Sequence, residues 1–85
     1  MSRYYQQMPQ FEQNNTVVEA TLAYGFDHVV GYFYQIVVAD EADPVENKDS
    51  FFNGLSHGEM LARFDALNVR LPRSHRVAIA LDLPF

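Results

Sequence analysis

Between residues 16 and 24 apolar and polar side chains alternate. Val18, Ala20, Leu22 and Tyr24 fall on one side of an extended chain, and Val17, Glu19, Thr21 and Ala23 on the other. A period of two is the pattern of a half-buried strand. Gly25, Phe26, Asp27 and His28 then read as a short connection, because glycine takes a positive φ without steric cost and aspartate bonds its own backbone. Residues 29–39 form a second run, and the two runs predict an antiparallel hairpin. Gly31, early in the second run, is a candidate bulge.

The second run is apolar on both faces. Tyr32, Tyr34, Ile36 and Val38 lie on one side, and Val29, Gly31, Phe33, Gln35, Val37 and Ala39 on the other. An exposed hairpin ordinarily shows one polar face, so this strand needs cover on both sides or leaves one side open to a partner.

Ser56 and Glu59 match the S-x-x-E capping box, with Leu55 and Met60 placed as a hydrophobic staple. Met60, Leu61, Phe64 and Leu67 recur at helical spacing, which predicts a helix from Ser56 to about Asn68. The tail has two readings. Alternation of Val77, Ile79, Leu81 and Leu83 favours a third strand, while Ser74 as an N-cap with Ala78 and Ala80 suits a short helix. Residues 1–15 are rich in Gln and Asn, are broken by Pro9, and read as a flexible N-terminal arm. Residues 40–53 read as a loop, with Phe51 or Phe52 folding back onto the core. The expectation is an α+β fold: an antiparallel hairpin, three-stranded if the tail joins it, packed on one or two short helices as a single domain over residues 16–85.

Composition narrows the chemistry. The 85 residues contain no cysteine, which excludes disulfides, thiolate metal sites and thiol nucleophiles. The net charge of −5 is concentrated between residues 40 and 49, where Asp40, Glu41, Asp43, Glu46 and Asp49 face one base, Lys48. An acidic chain disfavours nucleic acid and anionic membranes as partners. The first ten residues lack the apolar run of a secretory signal, and no stretch is long and apolar enough to span a bilayer, so a cytoplasmic location is expected.

No catalytic motif stands out. His28, His57 and His75 form no metal-binding spacing, and the serines lie outside any nucleophile elbow. The acidic stretch fails the calcium-loop pattern, since Ala42 and Pro44 occupy ligand positions. No cofactor is expected. Residues 24–35 (YGFDHVVGYFYQ) and 78–85 (AIALDLPF) resemble pieces of short uncharacterised bacterial proteins. The likeness covers about a quarter of the chain and implies a bacterial origin but no activity.

The leading expectation is a small non-catalytic interaction or regulatory domain that forms a homodimer or docks a larger protein. Its contact residues would be Tyr24, Phe26, Tyr32, Tyr34 and Ile36 on the aromatic strand, with Asp40, Glu41 and Asp43 engaging a basic partner. The alternatives are a nucleic-acid-binding accessory protein using residues 70–76, and a small enzyme with a His/Asp site (Asp27, His28, His75) completed at a dimer interface.

Overall fold

The alternating run at residues 16–24 lies near the middle of a four-stranded antiparallel sheet in the computed structural model, which describes residues 1–85. The strands are β1 (Tyr4–Gln13), β2 (Thr16–Asp27), β3 (Gly31–Val38) and β4 (Glu46–Asp49), joined as a meander in the order β1-β2-β3-β4. Three helices follow: α1 (Ser50–Asn53), α2 (His57–Ala66) and α3 (Arg73–Ala80). The fold is α+β, with the strands first and α2 and α3 laid on one sheet face.

Residues 1–15 are not a mobile arm. Tyr4 to Gln13 pair with β2, and the connection is the dipeptide Asn14-Asn15, both at positive φ (51° and 64°). Two consecutive positive φ values are what a tight hairpin turn requires, and asparagine tolerates them better than most residues. The register shifts between Met8 and Phe11, so the bulge lies in β1 around Pro9 rather than at Gly31. β2 and β3 pair without interruption from Asp27↔Gly31 to Ala20↔Val38.

The loop expected over residues 40–53 contains β4 and α1. The tail is a helix, not a strand. His75, Ala78 and Ile79 turn inward at the i, i+3, i+4 spacing of one helix face, leaving Val77 and Leu81 exposed. Pro72, not Ser74, occupies the N-cap position. The capping box at the start of α2 forms as expected: Ser56 Oγ accepts from the Glu59 amide and the Glu59 carboxylate accepts from the Ser56 amide. Asn68 takes a positive φ of 58° beyond the end of α2.

Leu22, Ile36, Met60, Phe64 and Ile79, each fully buried, form the centre of the core between sheet and helices. The opposite sheet face has no helical cover. Its one buried aromatic, Phe33, lies under the Arg3 guanidinium, 5.6 Å from the ring centroid. Gly25 makes this possible. A Cβ there would stand 2.1 Å from the Ser2 carbonyl oxygen and 3.1 Å from the Phe33 ring.

Two glycine replacements therefore have opposite signs. Gly25→Ala forces the Ser2 backbone away and is expected to destabilise by about 2 kcal/mol. Gly58→Ala, inside α2 with nothing within 4 Å of the new methyl, is expected to stabilise by about 0.5–1 kcal/mol. Urea unfolding of both variants checks the pair; equal or reversed signs contradict the packing described.

Candidate protein-docking surface

The aromatic residues of the hairpin do not form an open face. Tyr24, Tyr32, Tyr34 and Ile36 are all buried within one chain, at 5% exposure or less, and Phe26 is half-buried against Tyr32 and His28. The chain's own helices and tail cover them, so self-association through this strand face is corrected: the face is already occupied. A short helix at the tail supplies cover that a third strand would not.

Each buried tyrosine carries a hydroxyl that must be satisfied when it leaves water. The Tyr24 hydroxyl sits 2.7 Å from Nδ1 of His75 on α3. Tyr32 donates to Asp82 Oδ1 at 3.0 Å and to the Leu83 carbonyl at 3.1 Å. Tyr34 donates to Glu46, whose carboxylate also receives a bidentate fork from Arg63 of α2 at 2.7 and 2.8 Å. Burial acts to raise the Glu46 carboxyl, but the hydrogen bonds from Arg63 and Tyr34 overrule it and hold it below its ordinary range. Burial pushes the phenols of Tyr24 and Tyr34 up. These groups fasten helices to sheet.

The histidines are dispersed. His28 stands exposed in the hairpin turn, His57 Nδ1 donates to the Ile79 carbonyl at 2.9 Å, and His75 faces Tyr24 and Tyr4. Asp27 caps the turn by accepting from the amides of Val29 and Val30. The structure thus gives Asp27, His28 and His75 separate local partners. Of the basic segment, Arg76 is forked to Asp65 of α2 at 2.9 and 3.1 Å, while Arg70 and Arg73 remain exposed. Asp40, Glu41 and Asp43 are exposed in the β3–β4 connection and form no ion pair.

The unexpected surface is α1. Phe51 and Phe52 are 68% and 76% exposed, packed edge to face with ring centroids 4.8 Å apart, and neither folds back onto the core. Their mount is hydrogen-bonded at both ends. Asp49 accepts from the Phe52 amide at 2.6 Å and donates its own amide to Asn53 Oδ1 at 2.9 Å. The Phe51 amide donates to the Val30 carbonyl, and Gly54 closes the turn at φ 67°. Ser50 Oγ accepts from the Tyr32 amide and donates to the Leu55 carbonyl. That contact needs Gly31, where a Cβ would meet the Ser50 Cβ at 2.8 Å. The adjacent aromatic pair was visible in the sequence, but nothing local reveals that both rings face water. Val29, 77% exposed, adjoins the Val30 carbonyl that anchors α1.

No helix is long and apolar enough to cross a membrane. Comparison with protein-family models, curated proteins and solved structures finds no match.

The Tyr32 phenol is pushed up to about 12 from 10.0, chiefly by burial and further by the hydrogen bond to Asp82 and its charge. A group raised on folding contributes stability that is whole below its unfolded value and is lost as pH rises through the folded one. Stability is therefore expected to fall between pH 10 and about 12. Tyr32→Phe should cost about 1 kcal/mol at neutral pH and make that alkaline decline shallower. Urea midpoints measured across the range check this, and an equally steep decline in the variant contradicts it.

Proposed function

We propose that this chain is a non-catalytic protein-interaction domain that docks a larger protein along its β4 edge. Phe51 and Phe52 are the anchor, and the acidic connection carrying Asp40, Glu41 and Asp43 steers a basic partner. The observation that supports this above the others is the pair of phenylalanines held out in water on a hydrogen-bonded mount.

An exposed phenylalanine presents roughly 200 Å² when extended, so the two rings leave about 300 Å² of apolar surface uncovered. At about 25 cal/mol per Å² this is worth up to roughly 7 kcal/mol when a partner dries it. Association itself costs several kcal/mol in lost freedom, and the hydrogen bonds that hold α1 limit what must be ordered on binding. Aromatic side chains in such positions are the usual anchors of protein interfaces.

The charge pattern adds direction. β4 has four residues and spans about 14 Å, with the acidic connection at one end and α1 at the other. A partner with an apolar pocket beside a basic rim meets both at once. Unpaired surface acids act mainly on the rate of encounter and on its salt dependence. The titratable groups support a binding role over a catalytic one, because Glu46, Arg63, His57 and His75 are already engaged in holding the fold.

The test is capture from lysate with three baits: wild type, F51A/F52A and V17A, the last an exposed control on the uncovered sheet face. The double variant is expected to fold as wild type, since both side chains are exposed, and to recover at least tenfold less of the proteins that wild type and V17A retain. Equal recovery by all three baits, or no specific protein on any, contradicts the reading.

A further inference from the structure

The opposite edge of the sheet has a chemistry of its own. The Tyr32 amide goes to Ser50, and the Ile36 carbonyl receives the Val45 amide, so the even-numbered residues of β3 face β4. The odd-numbered ones, Phe33 and Gln35, face Gly25 and Ala23 of β2. Leu22 and Tyr24 must then face β1, where they meet Gln6 and Tyr4. The Ser2 amide bonded to the Phe26 carbonyl agrees with this phase. It follows that the backbone donors and acceptors of Tyr5 and Gln7 point out of the sheet. Outside the regular ladder, no backbone hydrogen bond of the chain involves residues 3–13.

We propose that this free edge is a two-fold self-association site whose occupant is β1 of a second copy of the chain, giving one sheet continuous across both. The outward pattern is self-complementary. Tyr5 and Gln7 each offer one donor and one acceptor, placed symmetrically about Gln6. An antiparallel two-fold at Gln6 sets Tyr5 opposite Gln7 of the other copy, where each residue both donates and accepts.

Charge selects this edge over others. The chain carries −5, yet its first eleven residues hold Arg3 and no acid. Two copies therefore meet here with little of the repulsion found elsewhere on the surface. The same two-fold carries the Arg3 end of one strand toward the Glu12 end of the other. Access is open, since Tyr5 and Gln7 are both exposed. Pro9 and the bulge interrupt the edge beyond Met8. A proline on the outward side has no donor to give, so pairing stops there and the register is fixed.

The ladder is short, and its area falls below that of a standard interface. The dimer is accordingly weak, with a dissociation constant on the order of 10–100 µM. The site is remote from α1 and stands whether or not the β4 edge binds a partner.

Sedimentation equilibrium from about 5 µM to about 1 mM brackets that range. The wild type is expected to pass from one chain to two. Gln7→Pro deletes an amide that no bond within the chain uses, and should weaken the dimer at least tenfold with an unchanged circular dichroism spectrum. Gln7→Ala, which keeps the amide, should dimerise as wild type. Amide exchange on the wild type gives a readout independent of any variant: Tyr5 and Gln7 should gain protection with rising protein concentration. A single chain at every concentration, a Gln7→Pro protein as dimeric as wild type, or protection independent of concentration overturns the proposal.

Discussion

The fold depends on drying one sheet face that carries three tyrosine hydroxyls. Apolar contact alone would hold the helices loosely, because it has no direction. A buried hydroxyl does have direction and is costly to leave unpaired. Tyr24, Tyr32 and Tyr34 reach, respectively, α3, the segment after α3, and the Glu46–Arg63 pair that joins β4 to α2. No buried side-chain polar atom lacks a partner. The three bonds fix where each part of the helical layer sits over the sheet.

This arrangement determines what remains for function. The most aromatic surface in the sequence is committed to the interior, and α2 and α3 are committed to covering it. On the opposite sheet face, which has no helical cover, Arg3 lies over Phe33 while Val17 and Val37 stay exposed. Besides that face, what stays available is the perimeter: the β4 edge with its phenylalanine pair and acidic connection, and the β1 edge with its unpaired backbone. They lie on opposite sides of the sheet, so the two proposed contacts do not compete. One small chain can pair with a copy of itself and present two docking edges outward.

Much of the architecture was legible in the sequence, and the misses have physical causes. The β2–β3 hairpin followed from the alternation at residues 16–24 and the apolar run after it, although Gly25–Asp27 belong to β2 rather than to the connection, and α2 followed from a cap whose hydrogen bonds are local. β1 was hidden because the bulge near Pro9 shifts its alternation by one, placing Met8 and Phe11 on the same face three residues apart. Gln6 also occupies an inward position where an apolar residue is expected, donating to the Arg70 carbonyl. The remaining clue was Asn14-Asn15, a turn dipeptide. In the tail, Val77, Ile79 and Leu81 alternate as a strand would, yet only Ile79 is buried; the need to cover Tyr24 and Tyr32 decided for a helix. The excess of apolar side chains on the second strand points to an open face, yet Tyr24, Tyr32, Tyr34 and Ile36 are covered within the chain, and the exposed aromatic pair lies on α1 instead. Tyrosines can be buried because their hydroxyls find partners within the chain, whereas Phe51 and Phe52 are held outward by the Asp49 cap.

The tyrosine-rich face is closed within a single chain. Nitration with tetranitromethane at low protein concentration, followed by peptide mass spectrometry, tests it directly. Tyr5, 63% exposed, is expected to react readily while Tyr24, Tyr32 and Tyr34 stay unmodified until the protein unfolds. Modification of Tyr32 or Tyr34 in the native protein as fast as Tyr5 would mean that the face stands open to solvent.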